Sequence, residues 1–239
     1  MSRPRAAVFE PVAARLLRNG ETRSAPAPDR PRDAAARTGA HGTDIAHAVD
    51  DGLAARGRVG WRDLRLGDGG VRLARPGMGV TLNGIAQGWA AERVRGVLAA
   101  HGIRHALVDA GEYAMVGRNP AGAPWTLGIA DPRAQGRLVA RLFADGRCVA
   151  TSGDDQTAFS ADRRHHHIFD PRTGYSPPDI AGVTVAAPSG ALADALTKVF
   201  FVAGPERALA VARRWNVDAL WIDKSGRRGA TPGLSLGAA

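Results

Sequence analysis

Between Arg18 and Gly42 the chain reads RNGETRSAPAPDRPRDAAARTGAHG, a stretch rich in Pro, Arg, Ala and Gly with almost no large apolar side chain. Such a segment cannot bury enough apolar surface to offset the entropy lost on ordering it. It therefore divides the chain into three expected parts. Residues 1–17 carry a short amphipathic pattern on Val8, Phe9, Val12, Leu16 and Leu17, residues 18–43 form a mobile basic linker, and residues 44–239 form the folded domain. With 44% hydrophobic residues in 239, the chain can fill a full core.

Periodicity predicts the elements of that domain. A short helix is expected around Ile45 to Ala55, and WRDLRLGDGGVRLARPG reads as two alternating strands around a Gly-Asp-Gly-Gly turn. TLNGIAQGWAAERVRGVLAAHG is a Gly-bearing loop feeding a helix, with Ile85, Trp89, Val94, Val97 and Leu98 at helical spacing and Gly102 as its stop. HALVDAG, PWTLGIADP, AGVTVAAP and DALWID read as strands, the last of these as the final strand of the chain, and LVARLFADGRCVATSGD as a hairpin-like pair. GALADALTKVFFVAG is a helix ending at Gly204, and PERALAVARRW a further helix with Pro205 near its start. Strands and helices mix without strict alternation, which points to an α+β fold of mixed sheets with packed helices.

Charge and cysteine usage narrow the function. The net charge of +9 comes almost wholly from Arg, since Lys198 and Lys224 are the only lysines among 32 basic residues. These arginines are scattered, without the interleaved aromatics of a single-strand binder, so nucleic acid is not expected as a partner. Cys148 stands alone, which removes a disulfide framework and a cysteine-based metal site. The N-terminus lacks an uninterrupted apolar core of roughly seven residues, and no run approaches the length of a membrane span. A cytoplasmic location is expected for the sequence as it stands, and a periplasmic one if the true start lies upstream.

Three segments can carry chemistry. In RRHHHIFDPRTGY, strand alternation sends His165 and His167 one way and His166 the other, so three histidines cannot converge on one metal. His167, at the mouth of an Asp-Pro…Thr-Gly turn, reads either as a proton acceptor or as a half-exposed polar residue. Asp194 and Thr197 lie three apart on one helical face, where they can offer two oxygens to a hard cation or simply form a cap. TLNGIAQG brings backbone amides close to a helix start, a setting that favours an anion.

The order of these pieces is more specific than any one of them. TLNGIAQGWAAERV, LVDAGE, W…GIADP, ATSGD, HHIFDPRTG and VTVAAPSGALADAL…FFVAG, over roughly residues 58–225, resemble the ApbE family of FAD:protein FMN transferases. The resemblance implies an ApbE-like fold and a Mg²⁺-dependent transfer of the FMN moiety of FAD to a Thr or Ser hydroxyl of an acceptor flavoprotein, with AMP leaving. By position, the family's metal ligands fall on the carbonyl of Gly84 and on Asp194, with Thr197 beside them. His167 falls where a base would stand, Ile168 where the family contacts the flavin, and Thr81 and Gln87 on loop positions that contact FAD.

The departures are equally informative. Thr81, Asn83 and Gln87 replace the Asp, first Gly and Lys of the usual Asp-Leu-Gly-Gly-Ile-Ala-Lys-Gly loop, so a phosphate-facing positive charge is lost. Lys198 stands where the common pattern has Thr; it either supplies the missing charge to the phosphates or repels the cation. Family members carry on the order of a hundred further residues before this point. VFEPV, with Phe9 and Glu10, resembles the end of that lobe, and residues 1–17 read as its remnant. The alternative on the same scaffold is a catalytically weak FAD-binding protein or an FAD pyrophosphatase.

Overall fold

The computed structural model describes residues 58–67 and 70–239. Residues 1–17, the segment 18–43, the helix expected at 45–55, and the candidates Phe9 and Glu10 lie outside the described residues. The described chain divides into two units, one of residues 81–170 and 175–239, the other of residues 58–67, 70–80 and 171–174.

The smaller unit holds the expected hairpin. β1 (Leu64–Gly67) pairs antiparallel with β2 (Gly70–Leu73), Leu64 opposite Leu73 and Gly67 opposite Gly70. The Arg75 guanidinium and the Asp63 carboxylate form an ion pair of 2.5 Å at its base.

The larger unit is layered. Its central sheet has six strands in the order β10-β9-β8-β7-β4-β3, all neighbours antiparallel. These are β3 (Ala106–Asp109), β4 (Tyr113–Val116), β7 (Cys148–Gly153), β8 (Ile180–Ala187), β9 (Asp218–Asp223) and β10 (Arg228–Ala230). A second sheet of three strands, β11-β6-β5, comprises β5 (Thr126–Ala130), β6 (Leu138–Phe143) and β11 (Leu236–Gly237). Three helices complete the unit: α1 (Ala86–Ala100), α2 (Gly190–Ala203) and α3 (Ala208–Trp215).

Every residue of β8 is buried, because both faces of the central sheet are covered. Val183, Val185 and Ala187 pack with Ala193, Leu196 and Phe200 of α2, while Ala186, Leu220 and Ile222 pack with Leu127, Ile129 and Leu142 of the second sheet. That two-sided burial explains why β8 reads as a continuous apolar run instead of an alternating one.

Two expectations need correction. β6 and β7 are not a hairpin: β6 pairs with β5 and β11, β7 with β4 and β8. The intervening Asp145-Gly146-Arg147 corner carries the chain from one sheet to the other, fastened by Arg147, whose guanidinium donates to Asp145, to Asp218 at 2.5 Å and to the carbonyl of Gly233 at 2.9 Å. Nor is DALWID the last strand, since β10 and β11 follow it.

Candidate functional site at the crossing of two helices

α1 and α2 cross at a pair of glycines. A Cβ placed on Gly88 would overlap the carbonyl of Gly190, and one on Gly190 would overlap the carbonyl of Gly88. Only two residues without side chains allow this approach. The contact is reinforced from α1, because Glu92 Oε2 accepts the Gly190 amide at 2.8 Å and the Ser189 hydroxyl at 3.0 Å. Ser189 makes no side-chain cap of its own, so a carboxylate of the neighbouring helix fills that role for α2.

The crossing delivers Asp194 to the start of α1. Asp194 is buried, its Oδ2 accepts the Gly88 amide at 3.2 Å, and its Oδ1 is bound by the ammonium of Lys198 one turn on. Lys198 Nζ also donates to the Asp194 carbonyl at 3.2 Å. The Lys198 stem runs beside Gly84, where an added Cβ would lie 3.7 Å from Cε. The loop before α1 is held by local bonds: the Asn83 amide donates to Thr81 Oγ1 at 3.2 Å and the Ile85 amide to the Leu82 carbonyl at 2.9 Å. Gln87 packs its amide against Gly111, where an added Cβ would fall 2.3 Å from Nε2 and where the φ of +90° itself favours glycine.

Glu112, within LVDAGE but given no role by its sequence, is buried beside this pair. Its Oε2 accepts the Thr151 amide at 2.8 Å. Burial pushes its carboxyl up to about 8; the charge of Asp194 adds to the rise, and the Thr151 amide and Lys198 ammonium oppose it.

The histidine segment forms a loop with a single bridge, Ala158 to His166, and not a strand. His166 is fully buried, its ring edge-on to Phe201 of α2 at 5.7 Å between centroids, and burial lowers its pKa. Ile168 sits in the core shared with α2. His167 is half-buried, and its Nδ1 is buried without a hydrogen-bond partner. Among the described residues no hydrogen bond joins His167 to Asp194 or Lys198. Below the loop, Asp154 has no exposed surface and takes a bidentate pair from Arg133 at 2.7 and 2.6 Å, with Lys224 Nζ 3.6 Å away. Arg133, Arg163, Arg164, His165, Tyr175 and Lys224 border a cleft of about 890 Å³.

The ApbE family model matches residues 13–221. The chain belongs to the ApbE family. It is 37% identical over 178 residues to the FAD:protein FMN transferase of Treponema pallidum, covering 69% of this chain and 49% of that protein. It is 33% identical over 198 residues to that of Klebsiella pneumoniae, covering 79% and 60%. The ApbE protein of Thermotoga maritima superposes with a TM-score of 0.70 at 28% identity, covering 77% of this chain and 61% of that one. Flavin transferase ApbE from Vibrio cholerae does so at 0.67 and 29%, covering 77% and 60%. The chain thus spans about half the length of the curated relatives it matches. No described helix is long and apolar enough to cross a membrane.

The ApbE fold thus gathers Gly84, Gln87, Asp194 and Lys198 at one helix crossing, with Thr81 in the loop that leads into it. Thr197 is on the same turn of α2, but its hydroxyl donates to the Asp194 carbonyl at 2.7 Å and meets Ser152 Oγ at 2.7 Å. The Mg²⁺ that the ApbE resemblance implies would need oxygen ligands at about 2.0–2.1 Å in near-octahedral order. Here both Asp194 oxygens and the Thr197 hydroxyl are already engaged. Among the described residues no three His, Cys, Asp or Glu side chains form a metal-holding group. A dication about 4 Å from the Lys198 ammonium would be repelled by about 8 kcal/mol at an effective dielectric of about 20. As arranged, these residues do not fit a divalent ion at Asp194.

Proposed function

We propose that this chain transfers the FMN moiety of FAD to a Thr or Ser hydroxyl of an acceptor flavoprotein, releasing AMP. The observation that supports it most directly is that, in a chain 37% identical to an FAD:protein FMN transferase, the TLNGIAQG and ADALTK motifs meet at one buried helix crossing.

The chemistry follows from the groups present. The acceptor hydroxyl oxygen attacks the phosphorus on the FMN side of the pyrophosphate, the bond from that phosphorus to the AMP oxygen breaks, and the hydroxyl proton must be accepted nearby. We assign the last role to His167 on its place in the HHIFDPRTG motif, at the mouth of the turn that follows. Ile168, with its side chain in the core, has only its backbone to offer the flavin. Developing charge on the pyrophosphate is met by preorganised dipoles and cations at the loop of Thr81 to Gln87 and at Lys198. No step runs through Mg²⁺, since Asp194 and Thr197 are engaged by other groups of the chain.

The test is incubation of the purified chain with FAD and an acceptor flavoprotein, followed by denaturing electrophoresis under ultraviolet light. A fluorescent acceptor band with stoichiometric AMP supports the transfer. AMP and free FMN without acceptor labelling would make the chain an FAD pyrophosphatase, and FAD binding without turnover a flavin-binding protein.

A further inference from the structure

We infer that the ammonium of Lys198 is the resident cation of this site, tethered on Asp194 in the place where a divalent ion would bind.

The geometry carries this. Lys198 Nζ binds both Oδ1 and the main-chain oxygen of Asp194, two oxygens of one residue that a hard cation would also use. Its stem is covered by Gly84, the position from which a backbone carbonyl would complete such a site. The other Asp194 oxygen is taken by the Gly88 amide, and the Thr197 hydroxyl is turned into the pair with Ser152. Both carboxylate oxygens of Asp194 and the hydroxyl of Thr197 are therefore satisfied by groups of the chain itself.

Composition adds an independent argument. This chain writes its positive charges as Arg almost everywhere, and its two lysines are both placed on fully or nearly fully buried aspartates, Lys198 on Asp194 and Lys224 on Asp154. A guanidinium is a wide planar fork, whereas an ammonium is a compact point charge with three donors. At Asp154 a guanidinium, that of Arg133, takes the carboxylate and Lys224 stands 3.6 Å off, whereas at Asp194 the compact ammonium itself sits on the carboxylate. The Lys198 side chain is 31% exposed, so the residue that neutralises Asp194 is open to solvent in part.

This deepens the proposed function: the phosphates of FAD meet a fixed single charge instead of a metal. It rests on that reading only for the identity of the anion. The metal arm of the test uses no flavin. Mn²⁺ is titrated by electron paramagnetic resonance into the wild type, Asp194→Asn, Lys198→Arg, Lys198→Met and Lys198→Met/Asp194→Asn. The wild type and Lys198→Arg are expected to bind no more Mn²⁺ than Asp194→Asn. Lys198→Met should gain a site that the double variant lacks, and Mn²⁺ should raise its melting temperature and leave that of the wild type unchanged. Saturable Mn²⁺ binding by the wild type that Asp194→Asn removes would overturn the inference, whether or not Lys198→Met folds.

The flavin arm follows FAD fluorescence with Mg²⁺ or with a chelator. Wild-type affinity should be equal in both, and Lys198→Met should bind at least tenfold more weakly in chelator, with Lys198→Arg recovering part of the loss. A tenfold chelator-induced loss in the wild type would overturn the inference. Failure of every form to bind FAD would remove the proposed flavin chemistry and leave the metal result standing.

Discussion

The backbone amide of Gly88 donates to Oδ2 of Asp194 at 3.2 Å, so the carboxylate of α2 is oriented by the main chain of α1. That bond exists only because nothing protrudes from Gly88 toward Gly190. Gly88→Ala would force a methyl into the Gly190 carbonyl and against Asp194 Cβ, 2.8 Å away. Overpacking of this kind costs roughly 1–3 kcal/mol, and backbone has little room to yield. Urea unfolding should show a midpoint lowered accordingly; an unchanged midpoint would mean that the helices do not approach this closely.

His167→Ala should slow acceptor labelling by roughly a hundredfold or more, the range for loss of a general base, while FAD affinity changes little. Equal losses in labelling and in FAD affinity, measured by fluorescence titration, would place His167 in binding instead.

Glu112 makes stability fall as pH rises. Its folded value of about 8 lies above the ordinary 4.5, so between those values the folded chain keeps a proton that the unfolded chain has released. Stability is therefore highest below about pH 4.5 as far as this group is concerned, and the loss, on the order of 5 kcal/mol, is complete above about pH 8. Glu112→Gln should flatten the difference between urea midpoints at pH 6 and pH 9. A variant with the same pH dependence as the wild type would remove this group as its source.

Cys148 should be silent to thiol reagents. It is buried, and burial pushes its thiol up to about 11 despite the opposing charge of Arg95. Ellman's reagent at pH 8 should react slowly with the native chain and with one thiol per chain in guanidinium. Rapid native reaction would show that β7 opens.

Asp154→Ala would strand Arg133 and leave Lys224 without its carboxylate. Breaking a buried pair by removing one partner costs roughly 3–5 kcal/mol. Thermal unfolding should shift well below the wild type, and a shift within experimental scatter would show that Asp154 is hydrated.

What was legible in the sequence followed from local pattern. α1, α2 and α3 and the strands β3, β5, β8 and β9 declare themselves by apolar period and by Gly102 and Gly204. β4 follows β3 after a turn too tight to separate on pattern, and β10 and β11 are three and two residues long. The β6–β7 corner looked like a hairpin turn because Asp-Gly is a turn signal either way; only the distant partners of Arg147, Asp218 and Gly233, reveal that the chain changes sheets. The motifs put Gly84 just before α1 and Asp194 on α2, as found, whereas His167, expected in a strand, lies in a loop. They did not show the carboxyl of Glu112 turned inward onto the Thr151 amide, a contact made across the sheet, nor that the Lys198 side chain closes onto Asp194 beside Gly84, since a helical spacing of four permits that pair without requiring it.

Asp154 lies beneath the histidine loop with no surface open to water. A charge without solvent contact is hardly screened by dissolved ions. Its grip on Arg133 and, through Lys224, on the carbonyl of Arg163 at 2.8 Å ties together stretches around residues 133, 163 and 224. The histidine loop is thus moored to a fixture indifferent to the surrounding medium, while the cleft above it, with its exposed arginines, still feels every change in ionic strength.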